Sequence, residues 1–262
     1  VGTTVMNSVT VRTLLVRGML AGLAAGLLAF GLAYLVGEPG LNAGIAYEDA
    51  HAHAGHDHEH EVELVGRAVQ STAGLATAVL VFGTAVGGIA ALAFCFALGR
   101  IGRIGPRATA ALVAGGAFVT VYLVPFLKYP GNPPGANEGD TIGQRTTLYL
   151  LMTALTVLVG LAAVILGRRL AGRFGNWNAG LAAGAAFVAV MAVAAVFLPA
   201  VNETPEDFPA GVLWQFRLAS IGIQALLWSS FGVIFGFLAE RVLAPRAARP
   251  GRSAASEAPT TV

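Results

Sequence analysis

The sequence predicts an all-α, polytopic membrane bundle of six transmembrane helices arranged as three parallel helical-hairpin repeats. Three observations point there. The 262-residue chain is 56% hydrophobic and 11% charged, with a mean hydropathy of +0.71, whereas about a quarter of the residues of a soluble domain are charged. Six apolar stretches reach the length of roughly 20 residues that a helix needs to cross a hydrocarbon core. Similar segments also recur along the chain: AGLAAGLLAF begins at Ala21, AALVAGGAF at Ala110 and AGLAAGAAF at Ala179.

Residues 1–12 form a short N-terminal segment. The first span, Thr13 to Val36, follows Arg12 and runs into GEPGLN rather than a small-x-small cleavage site, so it is expected to stay as a signal anchor. A loop over 37–66 leads to the second span, Ser71 to Leu98. The third and fourth are Ala108 to Leu127 and Thr146 to Leu166. The fifth and sixth, Asn178 to Ala200 and Val212 to Leu238, complete a transmembrane domain over 13–240. Residues 241–262 are rich in Pro, Ala and Arg with little to bury, and are expected to form a disordered basic tail.

Within the spans, small residues four apart let helix backbones approach closely in lipid. Gly18, Gly22 and Gly26 form such a ridge, as do Gly83 with Gly87 and Gly180 with Gly184. Spans two, four and six open on GRAVQST, GQRTTLY and WQFRLAS, each with an Arg and a Gln. These even spans carry more Thr, Ser and Gln than the odd ones, and are expected to line the interior while the odd spans support them.

Basic residues near span ends are retained on the cytoplasmic side. Arg12 and Arg17, then Arg100, Arg103 and Arg107, then Arg168, Arg169 and Arg173, and finally Arg241, Arg246, Arg249 and Arg252 all fall on one side of the predicted bundle. Both termini are therefore expected in the cytoplasm of a bacterial cell, with the chain in its inner membrane. The opposite connections carry Glu38, Glu48, Asp49, Asp57, Glu59, Glu61 and Glu63, then Glu138 and Asp140, then Glu203, Glu206 and Asp207. A net charge of +2 hides this asymmetry. The basic side answers to topology rather than to nucleic acid, so lipid is the expected surroundings and no nucleic-acid partner is indicated.

Every histidine of the chain lies in HAHAGHDHEH, residues 51–60 of the first outer loop. The imidazoles of His51, His53, His56, His58 and His60 suit divalent cobalt, nickel, zinc or copper, and Glu48, Asp49, Asp57 and Glu59 can complete or charge-balance a site. An extended chain puts His51 and His53 on one face, whereas a helix aligns His56 with His60. Ligand spacing alone leaves the metal open. Catalysis is not expected, because no span holds a His or a centrally placed acid, and Lys128 lies in no phosphate-binding loop. The single Cys95 forms no internal disulfide.

Beside the loop, PGNPP from Pro130 and NETPEDFP from Asn202 occupy matching places in hairpins two and three, and with Glu38 they are candidates to line an ion path. Arg67, Arg145 and Arg217 oppose a cation there unless neutralised; Glu63, four residues before Arg67, and Asp140, five before Arg145, are the local candidates.

The His-rich loop after the first span, together with PFLKYPGNPP and DTIGQRTTLY around the third and fourth, resembles the CbtA family of predicted cobalt transporter subunits over roughly residues 10–243. That resemblance implies cobalt uptake linked to cobalamin synthesis, a small single-span CbtB partner with its own His cluster, and a metal-capture role for His51, His53, His56, His58 and His60. The family is usually described as five-spanning, one fewer than the stretches counted here. Two functions fit the sequence: a transporter subunit, in which oligomerisation is open, and a membrane metal sensor or buffering accessory protein that binds the ion without moving it.

Overall fold

The computed structural model describes residues 7–52, 66–102, 104–137, 141–201 and 204–244. Among these residues the secondary structure is helical, with no strand. The helices are α1 (Ser8–Leu32), α2 (Glu38–Ala52), α3 (Arg67–Val69), α4 (Leu75–Ala97), α5 (Pro106–Ala117), α6 (Val124–Lys128), α7 (Ile142–Phe197) and α8 (Ala210–Leu243). The connections Ala33–Gly37, Gln70–Gly74 and Phe118–Leu123 are π-helical, so α1 runs on into α2, α3 into α4, and α5 into α6.

Five of the described helices are long and apolar enough to cross a membrane, where the sequence predicts six. Predicted spans four and five share α7, which breaks at Gly175 (φ 76°, ψ 162°), a backbone region in which an L side chain is strained. Residues on either side of the break face one another. A Cβ built on Gly167 would lie 3.3 Å from the Ala183 Cβ, and Met152 shares a small core with Met191.

The first helical run, Ser8–His51, spans 44 residues. At 1.5 Å per residue it is about 66 Å long, twice the thickness of a hydrocarbon core. Residues 38–52, expected as the first part of a loop over 37–66, are therefore helix and stand beyond the apolar belt. Pro39 would ordinarily kink such a helix, since it lacks an N–H and its ring crowds the carbonyl four residues back. The π turn of Ala33–Gly37 ends two residues before it and supplies the extra residue that relieves this crowding. The same device precedes Pro125, two residues after Phe118–Leu123.

The interior is built around α1, which packs on α4 and α8, while α5 packs on α8. The first span is thus central rather than supporting. Gly18, Gly22 and Gly26 of α1 meet Gly83 and Gly87 of α4: a Cβ on Gly18 would lie 2.7 Å from the Gly87 carbonyl oxygen, and one on Gly87 2.8 Å from the Gly22 Cα. Such backbone contact is what small residues allow in lipid, where hydrophobic burial gives helices no net drive to associate. Nothing lies within 4 Å of a Cβ on Gly180 or Gly184.

Towards the arginine-rich end, Leu14 and the rings of Phe94 and Phe235 are fully buried, with the two rings edge to face at 5.1 Å. Arg17 donates to the Leu238 carbonyl at 2.9 Å, and Arg107 pairs with Glu240. The outward surface is apolar, with Leu20, Leu27, Val81, Ile89 and Phe96 exposed on α1 and α4. Trp177 and Trp214 are exposed at opposite ends of the bundle, where indoles favour the two membrane–water interfaces.

Most hydroxyls on the spans bond to their own helix. Thr84, Thr120, Thr153, Thr156 and Ser220 each donate to the carbonyl four residues back, at 2.6–2.8 Å. Their polarity is met locally and requires no hydrated interior.

Candidate functional site

The end of the bundle opposite Arg17 and Arg107 is assembled on the turn NPPGAN, residues 132–137. Pro133 is fully buried, and Ala136 N–H donates to the Pro133 carbonyl at 3.2 Å. Gly135 has φ 74°, and a Cβ there would sit 2.9 Å from the Tyr47 ring. Gly44 in turn presses on the Pro134 carbonyl, 2.8 Å from where its Cβ would be. Two glycines thus seat α2 on the turn, and that seating places Tyr47, Glu48 and His51.

His51 occupies the last turn of α2. Its Nδ1 lies 2.8 Å from the Tyr47 carbonyl oxygen, and since a carbonyl only accepts, Nδ1 carries the ring hydrogen. Tyr47 stacks on the imidazole at 4.0 Å between centroids and meets Phe208 edge-on at 4.7 Å. Nε2 faces the Asp207 carboxylate at 3.2 Å. The Tyr47 hydroxyl also bonds to Asp207. That bond first, then the residue's own backbone N–H and the neighbouring His51, hold the Asp207 carboxyl below its ordinary value against the opposing effect of burial. The direction means that the carboxylate keeps its charge as pH falls through the range in which a free imidazole, of pKa about 6.5, takes up its proton.

Glu48 and Asp49 sit on the same turn of α2, both exposed. His53, His56, His58, His60, Asp57 and Glu59 lie outside the described residues. Among the described residues no group of three His, Cys, Asp or Glu is placed to hold a metal ion by itself. His51 and Asp207 are brought together; Asp207 stands 156 positions along the chain from its partner, and only the acidic character of PEDFP pointed to it.

The three arginines have unequal partners. Arg67 pairs with Glu38, and its Nε and Nη2 donate to Asn42 Oδ1 at 3.1 and 3.0 Å. Glu38 is thereby committed to a cation rather than open on an ion path. Arg145 donates to Asn137 Oδ1, and Arg217 to Asn132 Oδ1 at 2.7 Å. Glu63 and Asp140 lie outside the described residues. Each arginine of the repeated GRAVQST, GQRTTLY and WQFRLAS segments thus donates to an asparagine oxygen, a role that sequence inspection did not assign to Asn42, Asn132 or Asn137.

Below this layer is a cavity of about 550 Å³, lined by Ala33 and Tyr122 of two π segments and by Thr146, Tyr149, Ser220 and Gln224. The Tyr122 hydroxyl is buried without a hydrogen-bond partner. Its wall is largely apolar with a few polar groups, and irregular helix is tolerated in a membrane where it borders such an enclosed space.

A helical bundle with an apolar circumference and aromatic rings at both ends is a multi-pass membrane protein. The chain belongs to the CbtA family, described as "Probable cobalt transporter subunit (CbtA)", whose model matches residues 11–240. Cobalt is the substrate that this membership implies, and a subunit implies a larger assembly. The curated proteins give no match, and neither do the solved structures.

Proposed function

We propose that the chain takes up divalent cobalt across a bacterial inner membrane, with both termini cytoplasmic and six crossings in three parallel hairpins. The two arms of α7 on either side of Gly175 count as separate crossings in this reading. The repeat is supported by an Arg-to-Asn bond within hairpins one and two, while Arg217 of hairpin three reaches across to Asn132 of hairpin two. A small single-span partner of the CbtB type completes the transporter, and the segment His51 to His60 captures the ion outside, with Glu48 and Asp49 adding to the local field.

The observation that carries the capture role is the His51–Asp207 pair. Metal-bound imidazoles commonly donate their second ring N–H to a carbonyl, which fixes the tautomer and the ring plane. Nδ1 of His51 does this to Tyr47, leaving Nε2 directed at the carboxylate. Two ligand atoms each about 2.1 Å from one ion and subtending roughly 100° lie about 3.2 Å apart, which is the separation of Nε2 from Asp207 Oδ2. The pair supplies two ligands at a fixed point, and the imidazoles beyond His51 supply the rest.

Cells expressing the chain should accumulate cobalt, and replacement of residues 51–60 by Gly and Ser should remove most of that accumulation while leaving the protein in the membrane. Nickel, zinc and copper measured in parallel establish the preference. Since imidazole binds metal only when deprotonated, cobalt binding should fall between roughly pH 7 and 5, while the depressed Asp207 carboxyl stays ionised. Equal accumulation with and without the segment would point to the sensor or buffering role instead.

A further inference from the structure

A second cavity, of about 520 Å³, opens beside the NPPGAN turn and is lined by Lys128, Arg145 and Arg217 with Asn132 and Thr204. Among the described residues no carboxylate lines it. All three basic side chains are half-buried. Arg145 is already engaged, whereas Lys128 and Arg217 bring like charge together near a membrane surface, which is costly without counter-charge.

Several neighbouring polar groups are already committed. The Tyr129 hydroxyl donates to the Pro199 carbonyl at 2.8 Å, and the Asn132 amide nitrogen donates to Asn137 Oδ1 at 3.2 Å. Arg217 spends Nη2 on Asn132, yet its Nε is buried with no hydrogen-bond partner. Lys128 forms no ion pair among the described residues and lies 5.7 Å from the ring of Tyr129. A buried guanidinium donor left unpaired is uncommon.

We infer that this cavity is a binding site for a multivalent oxyanion, held by Lys128 and Arg217 with Arg145 at its rim. The Arg fork matches paired carboxylate or phosphate oxygens, and the volume is that of a small-molecule pocket rather than of one or two waters. The same cations would turn away a bare divalent ion, so the site is separate from the His51–Asp207 pair and does not depend on metal capture. The oxyanion has two sources, a free anion such as phosphate or citrate and the phosphate of a lipid headgroup.

Thermal unfolding of the detergent-purified full chain, at fixed ionic strength, tests this. Phosphate or citrate should raise Tm in a saturable way, because a ligand that binds only the folded state stabilises it. Lys128→Gln and Arg217→Gln should each weaken half-saturation by about tenfold or more, the usual cost of a lost charge-assisted bond. Arg100→Gln, at the opposite end, should leave it unchanged. A rise seen only with phosphatidylglycerol, absent with phosphatidylcholine and lost in the same variants, assigns the headgroup as the source. Lys128 ends a short helix, so its variant carries the test if Arg217→Gln does not fold. No stabilisation by either source, or equal curves for wild type and variants, would overturn the site.

Discussion

Gly22→Leu is expected to prevent the bundle from assembling. A Cβ at this position would run into the Gly83 carbonyl oxygen and come within 2.9 Å of the Gly87 Cα. Both obstacles are backbone, so no rotamer change makes room and α1 must separate from α4 along the whole ridge. Overpacking a well-filled interior typically costs 1–3 kcal/mol; against backbone on a central helix the cost should be about 3 kcal/mol or more. Gly31→Leu is the matched control on the same helix, because nothing lies within 4 Å of its Cβ. Fluorescence-detected size-exclusion chromatography after a temperature ramp should show Gly22→Leu aggregated or absent and Gly31→Leu close to wild type. Equal behaviour of the two would mean that α1 and α4 do not meet at these glycines.

The second large effect is on metal affinity. His51→Ala and Asp207→Asn should each weaken cobalt binding by the purified full chain by about 10–100-fold or more, since loss of a group that merely orients a ligand already costs that much. If both side chains hold one ion, their effects are coupled. The double variant should then be little worse than the poorer single one, since removing either ligand breaks the shared bite. Fully additive losses would place the two residues on different ions. Tyr47→Phe removes the hydroxyl that holds the Asp207 carboxyl low; since even an ordinary Asp carboxyl, of pKa about 3.9, is ionised throughout the imidazole range, the acid limb of cobalt binding should stay between roughly pH 7 and 5.

How much of this was legible in the sequence follows from where each interaction lies. The apolar stretches are composition, and they give a bilayer-spanning helical bundle directly. The small-residue ridges on α1 and α4 are also visible, because Gly18, Gly22 and Gly26, and Gly83 and Gly87, follow helical spacing, but that they face one another is not. The same spacing at Gly180 and Gly184 meets nothing within the chain, since a pattern of small residues permits close approach without naming a partner. Pro39 read as the start of a loop, yet a π turn carries the helix past it to His51. Asp207, Asn132 and Asn137 gave no local signal for their roles. The partners of Asp207 and Asn132 come from remote segments, and Asn137 meets Arg145, eight residues on, across the end of the NPPGAN turn.

X-ray absorption at the cobalt edge, on the metal-loaded full chain beside its His51→Ala variant, tests the central claim most directly. Capture by the His51–Asp207 pair predicts imidazole scattering with first-shell distances of about 2.0–2.2 Å, and a reduced imidazole contribution in the variant. A shell of oxygen ligands alone, or spectra that superimpose with and without His51, would contradict it.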